Sequence, residues 1–497
     1  MRIASSEPHV VEFEDEQSLL AALPQEAREM HFPVVIVGGG ACGLSAALHL
    51  HDLGLEPLVL ERDLVPSGST ALSSGFIPAA HTLAQKAFGI EDSPSAFAKD
   101  IQDKAHGLAA PHLVSAYTES IANALDALAQ KHGFNWEVLT HFLYPGHGQY
   151  RMHALPQRTG QALMDQLQRA VQDAGISLLT QARVIELWVI KGTKKVLALA
   201  YQRPDQSVEW VRLEALLLAC NGYGGNPVLV GQHIPQMHQA IYAGHVGNDG
   251  SALLWGESLG AQAADLGAFQ GHGSWAKSQG ILVTWALMME GAIQLNRRGE
   301  RFHNETLGYS EASMAVLAQP EGMAYNIFDE PLLNLGRTFP DFCALEKMGG
   351  VKRFETPQAL AEWIGCEERV LVRTLNGLVR KDLSKEAHES HSPIENPLHP
   401  EQADRSFDRG LNWPLYAIEV TGALFHTQGG LEVDRFCQVQ SAAHQSLPNL
   451  WAGGGAARGV SGPEVWGYLS GNGLLSAMAS AFIAAQSIHA YLCTRSP

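Results

Sequence analysis

Residues 34–43 read Val34-Val35-Ile36-Val37-Gly38-Gly39-Gly40-Ala41-Cys42-Gly43, an apolar run that closes on a Gly-x-Gly-x-x-Gly turn. A second apolar run, Pro57 to Leu60, ends in Glu61. Strand, glycine triplet, helix, strand and acid, in that order, form the pattern of a dinucleotide-binding βαβ unit. Gly38 permits a tight exit from a buried parallel strand, and Gly40 lets the backbone approach a pyrophosphate. Gly43 lets the helix expected over Leu44 to Leu53 pack close to the sheet. The N-terminus of that helix faces the phosphates with unpaired N–H groups and a partial positive charge. Glu61 lies where a carboxylate accepts hydrogen bonds from a ribose diol and does not tolerate a 2′-phosphate.

The rest of the chain is compatible with an enzyme. At 497 residues with 46% hydrophobic content it can bury a large core, and the length predicts two or three domains, one of them built from separated segments. The net charge is −17, from 34 basic and 51 acidic residues with no block of Lys or Arg, which argues against nucleic acid and acidic membrane surfaces as partners. Six cysteines (Cys42, Cys220, Cys343, Cys366, Cys437, Cys493) show no Cys-x-x-Cys pair, so neither a disulfide framework nor a zinc site is implied. No histidine spacing suggests a metal. Met1 to Met30 is polar and acidic where a signal peptide is basic and then apolar, and no apolar stretch reaches about 18 residues. The expectation is a cytoplasmic protein without a membrane span.

Further glycine-rich signposts follow. Pro66 to Gly75 is a run of small and hydroxyl residues, too polar for a core strand and suited to a planar ligand lying against backbone. The strand expected over Leu216 to Ala219 empties into Cys220-Asn221-Gly222-Tyr223-Gly224-Gly225, and Gly247-Asn248-Asp249-Gly250 precedes a helix-like stretch. Leu450-Trp451-Ala452-Gly453-Gly454-Gly455 is another strand that stops in glycines. After it, Ser470-Gly471-Asn472-Gly473 opens a helix expected over Leu474 to Gln486, whose N-terminus favours the negative charge that develops near flavin N1 on reduction.

Together these segments, with Gly291 to Glu305 and His426-Thr427-Gln428-Gly429-Gly430-Leu431, resemble the superfamily of fumarate reductases, succinate dehydrogenase flavoprotein subunits and 3-ketosteroid dehydrogenases, from about Pro33 to Gln486. The resemblance implies an α/β fold. A doubly wound, Rossmann-like FAD-binding domain is assembled from both chain ends, and an α+β cap that closes on the substrate is inserted between them. The expected division is an N-terminal extension (1–32), the FAD domain (33–260 and 406–497) and the cap (261–405). The positions it places on FAD are Gly38, Gly40, Gly43, Glu61, Arg62, Ser69, Thr70, Ser73, Gly75, Val184, Ala219, Gly222, Asp249, Gly453, Gly454, Asn472 and Leu474. Ser69 falls where covalently flavinylated members carry a histidine, so FAD is expected to be held noncovalently.

The substrate positions depart from the fumarate reductases. Two arginines of those enzymes, a proton donor four residues after Asn-Glu and a carboxylate clamp before the last Gly-Asn, correspond here to Tyr309 and Tyr468. Arginine is always charged and pairs bidentately with carboxylates, so the exchange removes much of the binding energy of a small dicarboxylate. Tyrosine can hydrogen-bond a ketone oxygen or accept a proton from the carbon beside it. The pair is similar to the 3-ketosteroid dehydrogenases. By that resemblance Tyr309 is the base, and Tyr468 with the Gly471 amide polarises the ketone.

His272 and His426 fall where fumarate reductases contact carboxylates, and an oxocyclohexane carboxylate would account for the mixture, with Arg458 as a displaced partner. Ordinary neutral histidines account for it equally. Trp275, Leu282, Trp285, Met288 and Met289 make an apolar cap entrance or plain core. The expected function is FAD-dependent dehydrogenation of a cyclic ketone to its enone. The alternatives are a fumarate-reductase-like enoate reductase of the same fold and a flavoprotein without catalysis. The electron acceptor, a quinone or another group, stays open.

Overall fold

The computed structural model describes residues 8–140, 142–378, 405, 407 and 409–494. They form two compact units: one holds the described residues up to Ile234, Gly244–Phe269 and those from His426 onward, the other Pro235–Ala243 and Gln270–Phe425.

The first unit is built on a nine-stranded sheet. Its main strands are β1 (His9–Phe13), β2 (His31–Val37), β3 (Pro57–Leu60), β4 (Ser177–Leu179), β5 (Arg183–Ile190), β6 (Val196–Gln202) and β7 (Val208–Leu218), in the spatial order β1-β5-β6-β7-β2-β3-β4. Val34, Val35 and Ile36 are fully buried and Val37 nearly so, as a continuous apolar run in a parallel strand covered on both faces requires. β7 changes partner along its length. Its first half pairs antiparallel with β6, and its end lies parallel to β2 on one side and to the C-terminal strand Ser446–Ala452 on the other. The early segment is not an appendage: β1 pairs in parallel register with β5, His9 opposite Glu186.

Helix α1 (Ala41–Asp52) begins three residues before the expected start, because Gly40 already takes the extended N-cap conformation. α2 (Pro111–His132) ends on Gly133 in the left-handed region, φ 69°. The C-terminal helix, Asn472–Cys493, packs against both α1 and α2 and is longer at each end than expected. This corrects the expectation that no segment is long and apolar enough to cross a membrane: by length and composition this helix is, although more than half of its apolar window is buried inside the unit. Ser476, Ser480 and Ser487 interrupt the apolar run without making the helix polar overall.

The main segment of the second unit runs from Gln270 to Phe425, where the sequence suggested 261 and 405, and Pro235–Ala243 joins it. Its seven-stranded sheet contains β8 (Phe269–Ala276), β9 (Met323–Phe328) and β10 (Leu415–Thr427), with β9 antiparallel to β10. Helix α3 (Tyr309–Leu317) packs in the same core, where Ala312 and Val316 meet Leu287, Met288, Phe328 and Phe342.

Candidate active site

The glycine turn is built from backbone in close approach. Gly38 has φ 108°, and a Cβ there would lie 2.5 Å from the Ala219 carbonyl oxygen. A Cβ on Gly43 would lie 1.9 Å from the Gly38 carbonyl oxygen, so the first turn of α1 rests directly on the strand exit. Gly40 differs: its nearest neighbour would be Thr70 Oγ1 at 3.8 Å, which leaves its Cα face open.

Side chains complete this end of the unit. Glu61 accepts from the Gly39 N–H at 2.7 Å and the Asp63 N–H at 2.9 Å, and burial pushes its pKa up. Arg62 donates to the Gly247 carbonyl and to Asp249, both at 2.9 Å. Val184, in β5, is opposite Tyr201. Thr70 Oγ1 accepts from the Ala41 N–H at 3.2 Å, and Ser73 Oγ donates to the Thr70 carbonyl at 2.7 Å. Gly75, at φ 71°, leaves no room for a Cβ against Thr159. Ser69 Oγ accepts from Asn248 Nδ2 at 2.8 Å. Gly222 and Gly453 are equally crowded: a Cβ would meet Thr427 Oγ1 at 2.0 Å at the first and Ser480 Oγ at 2.7 Å at the second. Gly454, at φ 57°, lies against Cys42.

The start of the C-terminal helix carries a second cluster in the same unit. Gly471 is its N-cap in the left-handed region, φ 89°. The loop before it is pinned by His147, whose Nε2 lies 2.9 Å from the Ser470 carbonyl oxygen. Tyr468 is 7% exposed, and its ring stands edge-on to His426 at 5.6 Å. His426 is pushed down to about 4 by burial, so it is neutral near pH 7. Its ring edge covers Gly473, where a Cβ would be 2.9 Å from Nε2, one residue before Leu474.

His272 and Tyr309 come together in the second unit. Their rings stack at 5.0 Å with 17° between planes. His272 Nδ1 accepts from the Ser274 N–H at 3.1 Å, which leaves the ring proton on Nε2. Burial pushes its pKa down to about 3. Tyr309 is the first residue of α3, and its neighbour Ser310 bonds both the Gly271 N–H and the Gly271 carbonyl at 3.2 Å, which fastens that helix end to β8. Upstream, Glu305 is fully buried between Arg301, at 3.0 Å, and Arg405, at 3.4 Å, and it also accepts from the Gln294 N–H. Burial works to raise its pKa, and the guanidinium groups outweigh it, so Glu305 stays ionised and braces the segment leading to Tyr309.

These positions correct one expectation and decide one open alternative. Arg458 is not a spare carboxylate partner, because Asp265 at 2.6 Å and Glu432 at 3.0 Å already hold it. Trp285 and Met288 belong to the core of the second unit rather than to an entrance, whereas Trp275, Leu282 and Met289 are partly buried.

The family profile described as FAD binding domain matches residues 33–474. The chain belongs to this FAD-binding family. Among relatives, the fumarate reductase (cytochrome) of Shewanella frigidimarina is 29% identical over 455 residues, covering 90% of this chain and 75% of that protein. The NADH:fumarate oxidoreductase of Klebsiella pneumoniae strain 342 is 26% identical over 444 residues, covering 88% of this chain and 46% of that protein, so the chain spans about half that relative's length. In fold it is similar to the open conformation of a flavocytochrome c3 fumarate reductase, with TM-score 0.78 at 23% identity, covering 96% of this chain and 80% of that one. It is also similar to a 3-ketosteroid Δ1-dehydrogenase from Sterolibacterium denitrificans, with TM-score 0.73 at 20% identity, covering 93% and 100%.

The flavoprotein's residues fit its cofactor. Gly40, at the start of α1, has an open Cα face, with nothing nearer to a Cβ there than Thr70 Oγ1 at 3.8 Å. At the start of the C-terminal helix, Asn472 Oδ1 and Ser476 Oγ are buried without a protein partner, as polar atoms awaiting a polar ligand are. The protein is an FAD-dependent oxidoreductase. Sequence reasoning missed the supporting residues Ser274, Ser310, His147, Gln428 and Ser461. Gln428 stood inside a quoted motif, whereas the others carry no spacing signal.

Proposed function

We propose that this flavoprotein dehydrogenates the Cα–Cβ bond of a cyclic ketone, and that FAD is held noncovalently. Bound FAD supplies a two-electron hydride acceptor. Tyr309 takes the proton from the carbon beside the carbonyl, which raises the electron density needed for hydride loss at the next carbon. Tyr468 and the Gly471 N–H donate to the carbonyl oxygen as it gains negative charge, each worth roughly 2.7–4 kcal/mol when alone. His272 and His426 serve as neutral donors.

The observation that carries this reading is the state of the cationic candidates. His272 and His426 are driven neutral by burial, and Arg458 is taken up by two carboxylates, so none of the three offers a free charge to a dicarboxylate. The names of the relatives favour a second reading, reduction of an enoate.

Turnover of a panel of cyclic ketones with a dye acceptor, set beside fumarate reduction by reduced viologen, separates the two. The expected result is ketone turnover that falls about a hundredfold or more in Tyr309→Phe, with the flavin spectrum unchanged. Fumarate turnover comparable with the best ketone rate sinks the proposal in favour of the reductase.

A further inference from the structure

Three hydrogen bonds run in series to His426. Asn472 Nδ2 donates to Ser461 Oγ at 3.0 Å, Ser461 donates to Gln428 Oε1 at 2.7 Å, and Gln428 Nε2 meets His426 Nδ1 at 2.9 Å. Asn472, Ser461 and Gln428 are 0, 2 and 5% exposed, so water does not substitute for any link. The Ser461 oxygen is occupied by the asparagine amide, so its single proton goes to Gln428 Oε1. Gln428 then turns its N–H side toward the histidine, and the imidazole must accept at Nδ1.

A competing arrangement is built into the same place. The Thr427 carbonyl oxygen is 3.3 Å from Nδ1 and would accept a proton held there. The two tautomers present opposite faces at the other nitrogen: Nε2, lying over the bare backbone of Gly473, is a donor in one and an acceptor in the other.

We propose that Gln428 is a positioning residue that selects the Nε2–H tautomer of His426, so that this histidine is a permanent hydrogen-bond donor at the start of the C-terminal helix. It thereby matches His272, whose tautomer is fixed by a backbone N–H instead. The chemical class served is an uncharged or anionic oxygen acceptor, such as a carbonyl, and not a group that itself donates. The inference rests on the proposed function only in supplying that acceptor. The tautomer itself is independent of the substrate.

The test uses flavin-loaded protein carrying ring-¹⁵N histidine, with the His426 signals identified by their loss in His426→Asn. The wild type should show the coupling pattern of a proton on Nε2. Gln428→Glu, of nearly the same size, offers an acceptor to Nδ1 and should reverse the tautomer, and Gln428→Met should leave the Thr427 carbonyl to capture the proton. A proton on Nδ1 in the wild type, or an unchanged pattern in both variants, overturns the proposal. In ketone turnover, Gln428→Glu should raise KM about tenfold with kcat and flavin absorbance little changed, because a donor to the bound oxygen is lost in ground and transition states alike. If the nitrogen pattern follows this expectation while no cyclic ketone turns over in the wild type, the relay stands and the substrate reading fails.

Discussion

The two helix starts expected at the flavin are made of different material. At α1 the decisive contacts are backbone on backbone: Gly38 against Ala219, and Gly43 against Gly38. At the C-terminal helix they are side chain on side chain, from Asn472 through Ser461 and Gln428 to His426, with His147 holding the preceding loop. A backbone contact of this kind tolerates one residue type and is insensitive to protons. A side-chain network accepts several residue types and depends on each group keeping its charge state.

Acid should have the largest effect, and it acts on protonatable side chains throughout the molecule and not on backbone contacts. Five buried histidines, His49, His147, His153, His272 and His303, and the half-buried His426 are pushed by desolvation from 6.5 down to about 3 or 4. The unfolded chain therefore binds protons in this window that the folded chain refuses. Their contribution to stability is fully present above about pH 6.5 and is lost as pH falls toward the folded values, with a slope of up to about 1.4 kcal/mol per pH unit for each group. The expected outcome is a melting temperature that drops steeply from pH 6.5 to 4.5 by calorimetry. A flat profile over that range would mean that these rings are not held neutral.

Next in size is a pair of glycine substitutions at α1. Gly43→Ala drives a Cβ into the Gly38 carbonyl and should destabilise the unit by about 3 kcal/mol or more, with loss of bound flavin. Gly40→Ala meets nothing closer than 3.8 Å and should leave the thermal stability of the apoprotein within about 0.5 kcal/mol of wild type while FAD affinity collapses. Equal effects of the two on the apoprotein would erase the distinction between a packing glycine and a ligand-facing one.

The smallest effect is expected at Glu61, a side chain that serves the backbone-built end. Glu61→Ala removes the acceptor of the Gly39 and Asp63 N–H groups as well as the expected ribose contact. FAD binding followed by fluorescence titration should weaken by about ten- to a hundredfold, in line with about 1.5–3 kcal/mol for a hydrogen bond to a charged group. Unchanged affinity would assign Glu61 to the turn alone.

This division also explains what the sequence made legible. The run Val34–Gly43 reads directly, because burial on both faces and contact too close for a Cβ each demand particular residues. β1 was not legible: His-Val-Val-Glu-Phe is half-buried and pairs with a strand more than 170 residues later in the chain. The polar network at Gln428 was equally hidden, since Ser461 and Asn472 are brought to it by tertiary packing and nothing in their spacing announces it. Arg458 was misread for a related reason. A guanidinium near a glycine-rich strand exit suggests a ligand, but its carboxylate partners, Asp265 and Glu432, lie 193 and 26 residues away in sequence.

The seating of α1 against the C-terminal helix imposes an order in time. Gly453 and Gly454 close on Cys42, and Ser480 receives the Gly454 N–H at 2.9 Å, so the wall behind the nucleotide turn is supplied by a stretch that leaves the ribosome long after the turn itself. A nascent chain ending before Ser446 has the strand, turn and helix of the fingerprint but neither the second parallel neighbour of Leu216–Leu218 nor the C-terminal helix that packs on α1. Such long-range closure is slow compared with local helix formation. Flavin capture thus waits for the stretch from Ser446 to Cys493, and until then the apolar face of α1 is exposed to whatever chaperones attend the nascent chain.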